Sequence, residues 1–113
     1  MQIGWCTLAT PFSSDRGVGD DDTSYAYDGF RMKKWGNLQS YGYGEKWTAG
    51  DIIGSLIDFE MKEVSFYRNN QSLGVAFDRI KVGPNMAYFP AISMQSGQRA
   101  IFNLGMLPFK FRI

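Results

Sequence analysis

Histidine is absent from this chain, and cysteine occurs once, as Cys6. The chain therefore lacks the side chain that most often serves as general base and as metal ligand. A single cysteine permits no internal disulfide and no thiolate metal cluster, a usage that fits an intracellular compartment. Net charge is also scarce: 12 Lys+Arg against 11 Asp+Glu leave +1. The halves differ little, with five basic and seven acidic residues over 1–56 (−2) and seven and four over 57–113 (+3). That balance argues against a general electrostatic grip on nucleic acid or anionic lipid. No apolar run approaches the roughly 20 residues of a membrane helix, and Met1–Thr7 does not have the layout of a signal peptide.

What the chain does have is apolar and aromatic mass. It is 44% hydrophobic and 16% aromatic over 113 residues, enough for one domain with a sizeable core. Period-2 alternation recurs along it and helical periodicity does not. Gln2–Thr7 sets Ile3, Trp5 and Thr7 on one face; Ser24–Tyr27 and Arg31–Trp35 flank Asp28-Gly29, a hairpin signal. Asp51–Phe59 is an apolar run with the look of a central strand buried on both faces. Glu63–Arg68 alternates, Asn69-Asn70 suits a tight turn, and Leu73, Val75 and Phe77 line the next strand. Tyr88–Ser93 and Gln98–Leu104 complete eight short strands. The expected fold is all-β, an antiparallel β-sandwich formed by one domain over residues 1–113. Because Gln2–Thr7 already reads as mid-strand, the first strand or two are expected to lie before Met1; otherwise an unpaired edge flanks Ile3–Thr7.

Two connections are long, Leu8–Asp22 and Gly36–Gly50. Long loops on a rigid all-β scaffold are where binding commonly resides. If every connection reverses chain direction, the odd-numbered ones, Leu8–Asp22, Gly36–Gly50, Asn69–Asn70 and Met94–Gly97, share one end of the sandwich. That end is the candidate binding surface.

Trp47-Thr48-Ala49-Gly50-Asp51-Ile52-Ile53-Gly54, followed by Leu56-Ile57-Asp58, resembles the W-x-x-G-D-x-I-G-x-x-x-D signature of SPRY domains. Four further segments match in order: Ile3-Gly4-Trp5; Ser24 to Gly29; Val64 to Asn70 with Leu73 to Phe77; and Phe89-Pro90-Ala91-Ile92-Ser93. Gly17 to Asp21 is similar to SPRY domains of ryanodine receptors and of RING-type ubiquitin ligases, and Met1–Thr7 leans towards the ligases. The resemblance implies a twisted, concanavalin-like sandwich that binds proteins or peptides through loops at one end, as substrate or partner recruiter of a larger ligase. Peptide-gripping relatives use the loop before the Ser24-Tyr25 strand, the loop after Phe89-Pro90-Ala91 and a segment ahead of Ile3-Gly4-Trp5. The first two correspond to Phe12–Asp22 and Gln95–Gly97 here. Those relatives often carry a large aromatic near Ser96, where this chain has small or polar residues, so a peptide preference does not transfer.

The candidate partner-binding residues are Phe12, Arg16, Asp20, Asp21, Asp22, Tyr41, Tyr43, Gln95 and Ser96. Asp20-Asp21-Asp22 could hold a cation, dock basic side chains or form a solvated turn; without the spaced ligands of a calcium loop, no metal is assigned. Tyr41 and Tyr43 suit recognition because tyrosine brings area and a hydroxyl at small entropic cost, or one of them covers the sandwich end. By analogy with sandwich lectins they could also stack sugars. Arg31, Lys33, Lys34 and Trp35 could neutralise and stack single-stranded RNA, as in SPRY-containing helicases, or form the polar face of a strand. Trp5, Trp47 and Phe89 read as core, Asp51 as a backbone-amide acceptor ahead of its strand, and Gly29 as a backbone requirement. Cys6 lies on the face opposite Trp5 and reads as a small buried hydrophobe. Asp58 and Glu60 do not make a catalytic pair across a groove. The expectation is a non-catalytic interaction module with a protein or peptide partner. No cofactor, no membrane and no nucleic acid are expected, the last kept as the alternative.

Overall fold

The computed structural model describes residues 1–84 and 86–111. Eight strands are present among the described residues: β1 Gln2–Cys6, β2 Tyr25–Asp28, β3 Lys33–Gly36, β4 Gln39–Gly42, β5 Ile53–Asp58, β6 Glu63–Arg68, β7 Gln71–Phe77 and β8 Phe89–Ser93. They form a five-stranded sheet in the order β4-β3-β2-β1-β8 and a three-stranded sheet β5-β6-β7, with all neighbours antiparallel. The expected antiparallel sandwich is therefore observed.

The core follows from the alternation. Tyr25 and Tyr27 on β2, Val64 and Phe66 on β6 and Ala76 on β7 meet between the sheets with Ile80. Trp5 and Ile57 close the layer from β1 and β5, and the indole N–H of Trp5 donates to Ser55 Oγ at 2.8 Å, joining the sheets. Tyr27 is the hub: its ring lies 5.3 Å from Tyr43, 5.2 Å from Trp47 and 5.3 Å from Phe66, at tilted or edge-on angles that suit the ring quadrupoles. A second, smaller core sits on the outer face of the larger sheet, where Cys6, Ala26 and Val18 pack with Ala91.

Several expectations are corrected. Gln39–Gly42 is a strand, not part of a loop; Asn37 and Leu38, at φ 51° and 62°, make a two-residue turn that folds it onto β3. Its sequence, Gln-Ser-Tyr-Gly, carries no apolar alternation, because both its faces are exposed. Conversely, Gln98–Leu104 forms no strand, although its pattern alternates. β5 is an edge strand with Leu56 facing solvent, not a central strand buried on both faces. β1 is flanked by β2 and β8, so no unpaired edge borders Ile3–Thr7. Phe89 is 44% exposed and is not core.

The extra hairpin changes which loops are neighbours. Inserting β4 moves every later connection to the opposite parity. Residues 7–24, 37–38, 59–62 and 78–88 thus occupy one end, and 29–32, 43–52, 69–70 and the exit of β8 at Ser93 the other. The four connections expected together are split, with Leu8–Asp22 leaving from the opposite end to Asn69–Asn70 and Met94–Gly97.

Candidate functional site

Leu8–Asp22 does not project from its end as a free loop. It folds back across the outer face of the five-stranded sheet and inserts Val18, fully buried, against Cys6 and Ala26. Gly19 permits the close approach: at φ 94°, a side chain there would meet Ala26 Cβ at 2.7 Å and Trp35 Cβ at 3.0 Å. The loop then reaches the far end of the sheet. Val18 N–H donates to Ser93 Oγ at 2.8 Å, and Gln2 Nε2 donates to Val18 C=O at 2.7 Å and Asp20 Oδ1 at 3.1 Å.

That return path joins two of the expected contributors. Arg16 directly precedes Gly17, where an added Cβ would meet Ser93 Oγ at 2.6 Å; Gln95 and Ser96 follow Ser93 by two and three residues. Arg16, Gln95, Ser96 and Phe12 are all exposed. The two segments meet because one crosses the sheet, not because they emerge at a common end.

The three aspartates have three separate tasks. Asp20 Oδ2 accepts the Gly17 N–H at 2.8 Å, pinning the turn that carries Val18. Asp21 is buried and accepts the hydroxyls of Thr23 and Ser24, while Ser24 Oγ also accepts the Gly19 N–H at 2.7 Å. Asp22 is exposed and pairs with Lys81 Nζ at 3.6 Å. No group of carboxylates able to share a cation occurs among the described residues. The alternative readings of the tyrosines also separate. Tyr43 covers the sandwich end, its ring against Tyr27 and Phe66 and its hydroxyl donating to Gly74 C=O at 2.6 Å. Burial pushes its phenol up to about 12. Tyr41 stays exposed on β4, apart from the Val18–Ser93 junction.

The remaining motifs pack locally. Cys6 is buried, and burial pushes its thiol up, with the Asp21 carboxylate adding to the shift, so it stays an uncharged thiol. Lys34 turns inward between the sheets: its ammonium donates to Ala76 C=O and lies 5.3 Å from the Phe77 ring centroid. Asp51 collects the Thr48 N–H and the Arg68 Nε, each at 2.8 Å, and the Asn69 amide at 2.9 Å. Those donors hold its carboxyl well below the ordinary range, the Thr48 amide contributing most.

The model of the SPRY domain matches residues 1–107. This chain belongs to the SPRY domain family. Among curated proteins, it is 51% identical over 114 residues to the E3 ubiquitin-protein ligase RKP of Arabidopsis thaliana, covering 100% of this chain and 9% of that protein. It is 33% identical over 113 residues to the ATP-dependent RNA helicase Ddx1 of Drosophila melanogaster, covering 97% of this chain and 14% of that protein. The chain thus spans a small part of the length of either relative. In this SPRY domain the signature run is structural: Trp47 packs edge-on against Tyr27 and Asp51 ties the Thr48 turn to Arg68 and Asn69. Gly29 is required beneath the Trp47 ring, which a Cβ would meet at 2.4 Å. Sequence patterns missed Gln2, Val18 and Ser93, the residues that assemble the junction. Val18 between two glycines was the available signal, since flanking glycines let the backbone lie close against a neighbouring element.

Proposed function

We propose that this SPRY domain is a non-catalytic docking module within a larger intracellular ubiquitin ligase and that it holds a protein or peptide for that enzyme. The surface is formed by Phe12, Arg16, Asp20, Gln95 and Ser96, with Asp21 and Asp22 shaping the loop behind it; Tyr41 and Tyr43 lie apart and contribute only if the partner is large. One observation carries this reading: the hydrogen bond from Val18 N–H to Ser93 Oγ ties the first loop to the end of β8, from which Gln95 and Ser96 follow, before any partner arrives. A loop already ordered loses less entropy on binding. The ligase relative, identical at 51% across the whole chain, supports the larger context.

Selection from a displayed peptide library, followed by titration against Arg16→Glu and a Gln95→Ala, Ser96→Ala pair, tests the surface. The selected peptide should bind each variant about tenfold more weakly, equivalent to ~1.4 kcal/mol, with the melting temperature unchanged. Equal binding by all variants would sink the assignment. The helicase relative supports a second reading, RNA binding through Arg31, Lys33, Lys34 and Trp35. The inward course of Lys34 removes one of those four cationic or stacking groups, which is why the protein-docking reading is preferred.

A further inference from the structure

The connection between β2 and β3 carries apolar side chains that no core uses. Phe30 is 66% exposed and Met32 46% exposed, and Arg31, Lys33 and Lys46 are exposed around them. Single exposed apolar side chains are ordinary, whereas a cluster rimmed by charge marks a contact surface. The backbone beneath is firmly held. Asp28 Oδ1 accepts the N–H groups of Phe30 at 2.9 Å and Arg31 at 3.1 Å. Trp47 N–H donates to Gly29 C=O at 3.1 Å, and Tyr43 N–H to Met32 C=O at 2.9 Å. Met32 is held at φ 53°, a left-handed conformation that a side chain adopts only where its surroundings impose it.

The charges around this turn are unbalanced. Lys33 and Lys46 take part in no ion pair among the described residues. Of the nearby carboxylates, Asp28 is occupied by two backbone amides and by Arg31 Nε at 3.8 Å, and Glu45 lies 3.7 Å from Arg68. Lys33 faces Gly42 across the β3–β4 pair, where the absence of a side chain leaves open space beside it. The half-buried Trp35 and the exposed Phe30 each carry a cation over the ring: Arg31 Cζ lies 5.7 Å from the Trp35 ring centroid, and Lys46 Nζ 5.2 Å from that of Phe30. Each cation occupies one face of its ring, where it is held ready for a carboxylate, while the ring edge stays open to an apolar group.

We propose that this turn is a second docking surface, which takes an extended acidic segment of a partner protein. Its carboxylates pair with Lys33, Lys46 and Arg31, and an apolar side chain between them lies on Phe30 and Met32. The surface is distinct from the Val18–Ser93 junction, so either can fail without the other. The test is fluorescence anisotropy on the purified chain at low and physiological salt. The probes are a labelled alternating Glu-Leu octapeptide, its Lys-Leu counterpart and a labelled single-stranded RNA. The Glu-Leu peptide should bind, and added salt should weaken it. The Lys33→Glu, Lys46→Glu double variant should bind roughly tenfold more weakly, since two attractive pairs become repulsive. Phe30→Ala should lose several-fold without changing the salt dependence, and Arg16→Glu should bind as the parent does. All substituted side chains are exposed, so the melting temperature should hold and report intact folding. No preference for the Glu-Leu over the Lys-Leu peptide, equal binding by the charge-reversed variant, or tighter binding of the RNA would each overturn the proposal.

Discussion

Replacing Val18 by alanine tests whether the long first loop is a fixed part of the sandwich. Val18 is fully buried between Cys6, Ala26 and the loop backbone. Truncation removes two methyl groups, about 0.8 kcal/mol each by transfer, and leaves a small cavity that raises the total to about 2 kcal/mol. With an unfolding entropy of about 2.1 cal/mol/K per residue, 113 residues give about 0.24 kcal/mol/K, so the melting temperature should fall by about 8 °C. Ser93→Ala supplies an independent route to the same anchor, since it strands the Val18 N–H at a cost of about 1–3 kcal/mol. The two substitutions act on one junction, so the double variant should fall short of the sum of the singles. Calorimetry reads the stability, and amide hydrogen exchange at 17–20 reads the anchoring, with protection lost in both single variants. Asp22→Ala is the control: its ion pair with Lys81 is exposed and should shift the midpoint by no more than a degree or two. A Val18→Ala protein that melts with the parent and keeps slow exchange over the loop would refute the reasoning, because the loop would then be held by something other than Val18.

Acid and alkali should each expose one group. The Asp51 carboxyl is held below the ordinary value near 4 by the Thr48 amide, Asn69 and Arg68, so its stabilisation is full above about pH 4 and is lost as pH falls further. Asp51→Asn should be less stable than the parent at pH 7 and show a flatter stability profile below pH 4, followed by urea unfolding at each pH. The Tyr43 phenol rises from the ordinary value near 10 to about 12, so its stabilisation is full below pH 10 and fades between 10 and 12. Tyr43→Phe should lose about 1 kcal/mol at neutral pH with the Gly74 hydrogen bond, and absorbance at 295 nm should lose a late-titrating tyrosine. If the phenol lost in Tyr43→Phe, read as the difference between the two titrations, were one that titrates near 10, the burial that drives the shift would be contradicted.

Local chemistry made much of the fold legible. Tyr25, Tyr27, Val64 and Phe66 announce an all-β core by alternation alone, and Asn69-Asn70 forms the expected tight turn at φ 49° and 73°. Asp51 was readable as an amide acceptor because a carboxylate ahead of a strand needs nearby donors. β4 was not readable, since an edge strand exposed on both faces carries no apolar pattern. Gln98–Leu104 failed in the opposite sense: alternation says that a segment suits a sheet, not that it pairs with one, and this segment joins no sheet although β8 has a free edge among the described residues. One missed strand then reversed the parity of every later connection.

By itself the sequence determined what the chain cannot use and what it can bury. The absence of histidine, the lone Cys6 and the balanced charge limit its chemistry, and the SPRY signature follows from residue identities at set spacings. Only tertiary structure decided the outcome for individual side chains. Asp20, Asp21 and Asp22 are consecutive and chemically alike, yet one pins a turn, one is buried among hydroxyls and one meets a lysine 59 residues away. Val18 and Ser93, 75 residues apart, become partners because the first loop lies back over the outer face. Short-range pattern records which face a residue prefers; which other segment covers that face depends on chain path, and no local pattern encodes it.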